Sequence, residues 1–501
     1  MSKNFEKQRT MCFSKKTSLI TLSLGLAYAF LFFHGEVGLN VFLFDALLIG
    51  LSLSVRPDLA QHKAFVWSVG GLLFAAGSVT VVHSDAAIFA HHLTYFLVLG
   101  FTQARELRFV WYGLLLGISA VFETPINAVR RWRTVRRQRE QKVASPVWPW
   151  LRQALVPAFV LVPFLLLYAG GNDKFAAGLS LFLNSFSDVP LSVDVYWTLM
   201  LTVFGYLLTL GFLLPREGIS HLVKQQSGFR DELVRARGKR GFDPSEFLYP
   251  SVHPRPRPKK ILALKGEYLQ AVLTFSFLNL LLTVVNATDL RYVWLETGAL
   301  SAATLSNYVH TGTWNLVVSI ALAIMVVLYY FRGNLNFLKD TPWLAPLAKL
   351  WVAQNALLAL SVGVRNWHYV NAHGLAFGRV YIAFVLLLIL FGLYTLFRKV
   401  RDKLSLTYLL HTNGMAAWLC LLLFAAVNWT NVITRVNLTT QTTEEIDWEH
   451  LKQLPRDNTF LLLEHPEAEV LKIWKGTADR YRYADWRSWN YADWRNLQAL
   501  R

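Results

Sequence analysis

Long apolar runs separated by short polar or basic stretches recur along the whole chain. That alternation predicts membrane-spanning helices, because a helix rising about 1.5 Å per residue needs about 20 apolar residues to cross roughly 30 Å of hydrocarbon. Spans are expected at residues 17–33, 38–55, 64–82, 85–103, 150–170, 196–214, 266–286, 313–331, 345–364, 377–397 and 406–427, eleven in all. Backbone polar groups must be satisfied inside lipid, and the chain lacks the short alternating strands of a closed barrel. The expected fold class is all-α, a polytopic transmembrane helix bundle of about 11 spans with a small extracytoplasmic C-terminal tail.

Charge orders these spans. Lys3, Lys7, Arg9, Lys15 and Lys16 precede the first run and put the N-terminus in the cytoplasm by the positive-inside rule. Arg56, Lys63, Arg105, Arg108, Arg332, Lys339, Arg398, Lys399, Arg401 and Lys403 fall on the same side, and His34, Glu36, His83 and Asp85 on the other. Residues 109–122 disturb the count: they are apolar, about 14 long, and lead through Glu123, Thr124 and Pro125 into an arginine-rich run at 130–139. A segment that short is more often interfacial or re-entrant, so 109–128 is expected to lie in or dip into the inner leaflet.

The chain then divides into 1–129, four spans plus an interfacial helix; 130–149, a basic cytoplasmic loop; 150–214, two spans with an external amphipathic segment at 175–186; 215–265, a basic cytoplasmic linker; 266–427, a five-span membrane domain; and 428–501, an extracytoplasmic tail. Alternate prolines in HPRPRPKK at 253–260 favour an extended polyproline conformation. The tail is balanced in charge, is polar at 437–443, predicts a short strand at 460–463, and repeats YADWR at 483–487 and 491–495.

Composition narrows the class. Hydrophobic residues make up 54%, charged residues 16% and aromatic residues 14%, too apolar for a soluble enzyme of this length. The net charge of +18 sits in short loops, where anionic lipid and insertion rules explain it without nucleic acid. Cys12 and Cys420 are the two cysteines and supply neither a disulfide framework nor a cysteine metal site. The basic start and the run at 17–33 lack a small-residue cleavage site, so no cleaved signal peptide is expected.

Polar residues inside apolar runs are costly and tend to face other helices or a wet cavity. Asn279, Thr283 and Asn286 share one helical face, Asn315 and Ser319 are four apart, and Gln354, Ser361 and Arg365 form a stripe beside Asn355 and Asn366. His411 and Asn413 lie in the inner part of the last span. Near the outer ends, Tyr308, His310, Arg365, Asn366, His368, Asn371, His373, Arg379 and Tyr381 would converge if the helices bundle. Such a pocket would hold a small anion or lipid headgroup, with Arg365 and Arg379 as fixed charges and the histidines as titratable donors. The competing assignment is plain interhelical hydrogen bonding. His91 and His92 are adjacent, so they diverge by about 100° on a helix and do not make a ligand pair. His368 and His373 fall in an expected loop without a carboxylate close by, the early external loops have Glu36 and Asp85 singly, and no phosphate-binding glycine loop or nucleophile elbow occurs. No metal and no cofactor is expected.

The blocks NYVHTGTWNLVVSIALAIMVVLYYFRG, LWVAQNALLALSVGVRNWHYVNAHGLAFGRVYI and NWTNVITRVNL resemble those of bacterial polytopic inner-membrane proteins catalogued as a domain of unknown function, DUF4153/DUF4173-like. The likeness covers 260–440 well and the N-terminal spans loosely. The family's Tyr-x-His-like turn corresponds to Tyr308 and His310, its aromatic-rich arginine turn to Arg365 and Tyr369, and its Gly-Leu-Thr block to Gly374, Leu375 and Arg379. Ala376 stands where the family often has threonine, and the exit block has Asn428, Asn431 and Ile433. The resemblance implies a bacterial cytoplasmic-membrane location and no assigned activity.

Three functions stay open on the sequence. One is a non-enzymatic protein that binds or passes a small anion or lipid headgroup, in transport or envelope sensing. Another is a membrane-embedded transferase on a lipid-linked substrate, with His310 or His373 as general base. The third is a scaffold. The expected partners are the lipid bilayer, anionic lipids at the basic loops, and a small anion or lipid-linked ligand.

Overall fold

A computed structural model describes residues 15–103, 108–121, 123, 174–175, 177–178, 180, 193–213, 231, 261–295, 313–331, 334–337, 342–441, 446–464 and 485–500. The expected span at 150–170, the basic loop at 130–149, nearly all of the 215–265 linker, most of 175–186, and Tyr308 and His310 lie outside these residues.

The regular elements among the described residues are helical. They are α1 (Lys15–Phe32), α2 (Leu39–Val55), α3 (Lys63–Val81), α4 (Asp85–Gln103), α5 (Val110–Val121), α6 (Val193–Leu213), α7 (Ile261–Asp289), α8 (Thr313–Tyr330), α9 (Leu344–His373), α10 (Phe377–Asp402), α11 (Leu406–Ala425), α12 (Trp429–Thr440), α13 (Trp448–Gln453), α14 (Thr459–Leu463) and α15 (Tyr491–Leu500). Five helical stretches, Lys63–Val81, Leu264–Leu295, Leu344–His373, Phe377–Asp402 and Leu406–Ala425, are long and apolar enough to cross a membrane. Thr17–Phe32, Leu39–Val55, Trp197–Leu213 and Leu316–Tyr330 are shorter apolar helices of the same kind.

Three expectations are corrected. The strand expected at 460–463 is α14, in which the consecutive residues Phe460, Leu461 and Leu462 are all buried; a half-buried strand would alternate. His368 and His373 are not in a loop but on α9, which continues to a glycine C-cap at Gly374. Polar side chains at the membrane boundary do not end a helix, whereas a residue that takes up positive φ does. The helix expected at 266–286 likewise runs to Asp289 and on through a π-helical turn at Leu290–Leu295.

Two bundles share α11. Leu24, Leu48, Phe65, Leu72, Leu97 and Phe212 from α1 to α4 and α6 form one core, which also takes Trp418, Leu422 and Ala425 of α11. Phe275, Ile320, Val352, Leu358, Leu393 and Leu396 from α7 to α10 form the other, which takes Leu409 of α11. A third cluster, with Val380, Phe424, Ile433, Leu451 and Leu462, fastens α12 to α14 over one end.

In the first bundle, small residues let backbones meet. An added Cβ at Gly100 of α4 would lie 1.8 Å from the Gly113 carbonyl oxygen of α5, and one at Gly117 would lie 1.7 Å from that of Phe96. These pairs run in opposite directions, so α5 lies antiparallel along α4. The tail closes onto the same bundle: Leu39 N–H donates to the Trp489 carbonyl at 2.9 Å, and Arg487 binds Asp485 and the Phe30 carbonyl. The second YADWR copy forms the first half of α15, where the Arg495 guanidinium lies 3.8 Å from the Phe460 ring centroid.

Candidate functional site

The site grows out of the turn between α9 and α10. Gly374 ends α9 at φ 74°, a left-handed conformation that favours glycine, and a Cβ there would also meet Asn437 Oδ1 at 2.7 Å. Asn437 of α12 clamps the next residue from both sides, its Oδ1 accepting from Leu375 N–H at 2.6 Å and its Nδ2 donating to Leu375 O at 2.9 Å. Ala376 begins α10 without a side-chain cap, and Asn428 caps α12 by accepting from Asn431 N–H at 3.0 Å.

This turn fixes Arg379. Its Nη1 donates to the His373 carbonyl at 2.9 Å and to that of Gly374, and its guanidinium lies 4.1 Å from the Tyr369 ring centroid. Asn366 Nδ2 donates to the Arg379 carbonyl at 3.0 Å, tying α9 to α10, and the His373 ring sits 4.6 Å from that of Tyr369. Among the described residues no carboxylate pairs with Arg379. Its charge is held by carbonyl dipoles and a ring face, which leave it a net cation.

Arg365 is arranged differently. It forms an ion pair with Asp289 of α7, and the two side chains are 15% and 8% exposed. The pair is one rung of a polar seam between α7 and α9. Asn279 Nδ2 donates to Leu347 O at 3.0 Å, Gln354 Nε2 to Thr283 Oγ1 at 3.0 Å, Asn286 Nδ2 to Gln354 O at 3.2 Å and Trp294 Nε1 to Ser361 Oγ at 3.0 Å. The two polar stripes seen in the sequence therefore face each other and hold parallel helices in register, each bond contributing about 1 kcal/mol or less.

On the other side of α9, facing α10, is a cleft of about 490 Å³ lined by Leu360, Gly363, Trp367, Phe384, Leu387 and Trp429 among others, with Asn366 and Arg379 as its polar members. It follows α9 from Ala359 to Val370 and α10 from Arg379 to Leu390, about 16 Å at the helical rise. That is roughly the thickness of one leaflet.

The remaining expected residues scatter. Asn371 and Tyr381 are exposed, and Tyr381 stacks on Phe424 at 5.1 Å. His368 is half-buried on α9, with Nε2 unpartnered among the described residues. Asn355 donates to Trp351 O of its own helix at 2.8 Å, and the His411 ring lies 5.1 Å from that of Phe109. The Asn315 side chain, like Tyr308 and His310, lies outside the described residues.

Two groups escaped the sequence reading, Asp289 and Asp45. Asp45 is buried in the middle of α2 and accepts from or shares a proton with His91 of α4 at 2.7 Å. A lone carboxylate in an apolar run was the available signal, because such a residue demands a partner. The adjacency of His91 and His92 drew attention to a pairing with each other, whereas the partner came from another helix. Among the described residues, no three His, Cys, Asp or Glu side chains are grouped to hold a metal.

A family model described as Domain of unknown function (DUF4153) matches residues 64–464. No curated protein and no solved structure matches the chain.

Proposed function

The chain belongs to the family described as Domain of unknown function (DUF4153), and we propose that it is a multi-pass protein of the bacterial cytoplasmic membrane that binds an anionic amphiphile between α9 and α10. The apolar tail lies along the cleft and the anionic head meets Arg379. The observation that carries this is the meeting of a leaflet-long apolar cleft with a cation lacking a carboxylate partner among the described residues. A carboxylate or phosphate head suits a guanidinium through charge-assisted hydrogen bonds, and a cleft with so few polar groups suits a lipid better than a free small anion.

The distribution of charge supports an orientation. Arg56, Lys63, Arg398, Lys399, Arg401 and Lys403 gather at the end of the bundles opposite the tail, which the positive-inside rule assigns to the cytoplasm. The N-terminus is then cytoplasmic, the cleft opens toward the outer leaflet, and the tail is extracytoplasmic.

Lipids retained by the full-length protein in mild detergent, extracted and weighed by mass spectrometry, test the proposal. Arg379→Gln is expected to lose about tenfold in anionic amphiphile, the value of one charge-assisted contact. Gly363→Leu is expected to deplete the tail by filling the cleft, since a Cβ there meets only Leu386 Cδ1, at 3.8 Å. Unchanged anionic lipid in both variants would overturn it.

A further inference from the structure

The first bundle contains a buried histidine–carboxylate pair that the amphiphile cleft does not use. Asp45 is 1% exposed and His91 7%, and Nε2 of the imidazole lies 2.7 Å from Oδ2 of the carboxylate. Both belong to the middle of apolar helices, in a core with Leu48, Leu72 and Phe212. Leaving an ionisable group in such a place is costly, and a hydrophobic pair of the same volume would hold α2 to α4 as well or better. Two further polar atoms next to the pair are buried and without a partner among the described residues, His91 Nδ1 and the Tyr95 hydroxyl, and the two rings are 6.5 Å apart.

Nε2 is occupied by Asp45, so Nδ1 is the one basic position of the imidazole left open. The other titratable groups around the pair are Tyr28 of α1 and His92 and Tyr95 of α4. Tyr28 packs on Phe44 of α2 and Phe204 of α6, Tyr95 on Phe212 of α6, and Trp418 of α11 donates to Thr94 at 3.1 Å. We propose that Asp45 and His91 form a proton-binding site in the first bundle, in which the neutral imidazole donates Nε2–H to the carboxylate and a proton arriving from solvent is taken up on Nδ1, giving an imidazolium–carboxylate pair. No other bond forms or breaks, and release returns the same proton. The pair thereby changes between a net charge of minus one and zero inside an apolar core, which makes the link it forms between α2 and α4 proton-dependent.

The test is a titration of the full-length protein in lipid nanodiscs with imidazole-15N histidine, read by NMR between about pH 4 and pH 9. One signal, identified by its loss in His91→Gln, is expected to pass from singly to doubly protonated and to exchange slowly with solvent. In Asp45→Asn, which keeps the shape of the side chain, its midpoint is expected to be displaced by about one pH unit or more, a tenfold change in proton affinity. A His91 signal that stays in one protonation state across the range would overturn the proposal, and so would a midpoint unmoved by Asp45→Asn. The wild-type titration decides the first of these outcomes without any variant.

Discussion

Between α4 and α5 an added Cβ at Gly100 would sit 1.8 Å from a backbone oxygen, while between α9 and α10 an added Cβ at Gly363 would find its first neighbour at 3.8 Å. The first bundle draws its helices together through small residues and encloses the Asp45–His91 pair. The second holds α7 to α9 by a polar seam and has, lined by α9 and α10, a cleft one leaflet deep. Without a hydrophobic drive between helices in lipid, close backbone approach and interhelical hydrogen bonds are the two means of association. The α4–α5 contact uses the first and the α7–α9 seam the second, while α9 and α10, tied at one end by Asn366 to the Arg379 carbonyl, line the cleft.

That contrast can be broken by substitution. Gly100→Leu is expected to have the largest effect, about 3 kcal/mol or more from overpacking against a backbone that cannot yield, seen as loss of folded protein in thermal unfolding; Gly363→Leu should leave unfolding within about 0.5 kcal/mol. Equal losses would mean that the two bundles are packed alike. Arg365→Met comes next, at about 3 kcal/mol, because Asp289 is left buried and unpaired, and Asp289→Leu in the same chain should recover most of the loss. Failure of the double variant to recover would show that the seam depends on more than this pair.

The smallest effect concerns the end cap that joins the halves. Burial, then Asp493 and Asp85, push the Asp457 carboxyl up to about 7 against an opposing hydrogen bond with Asn428. The docked tail therefore holds a proton that an undocked tail would release. Docking is fully favoured below the ordinary carboxylate range and weakens as the pH rises through about 7, by about 1 kcal/mol between about pH 6 and pH 8. Hydrogen exchange of 446–464 should be faster at the higher pH after correction for intrinsic rates, and Asp457→Asn should remove the dependence. A tail equally protected at both values would mean that it is held by its apolar cluster alone.

Much of the fold was legible because lipid imposes one rule on every spanning segment: long, apolar and helical. The helices at 63–81, 377–402 and 406–425 begin and end within a few residues of where the apolar runs do. Helix ends at the membrane boundary were less legible, as α7 and α9 show, since polarity marks the water surface and not the end of the hydrogen-bonded spiral. Of the site, Asn366 and Arg379 were identified from the sequence and are brought together, and Arg365, expected as a fixed charge of the same pocket, is paired with Asp289.

By itself the sequence determined that this is a helical membrane protein and which stripes of α7 and α9 are polar. These follow from periodicity and from the cost of polar groups in lipid, both local properties of a segment. Only the tertiary structure decided that the two stripes bind each other, that Asp45 meets His91, and that Arg379 stands at the head of an apolar cleft. Each of those is a relation between different helices, and a single helix carries no record of its neighbour.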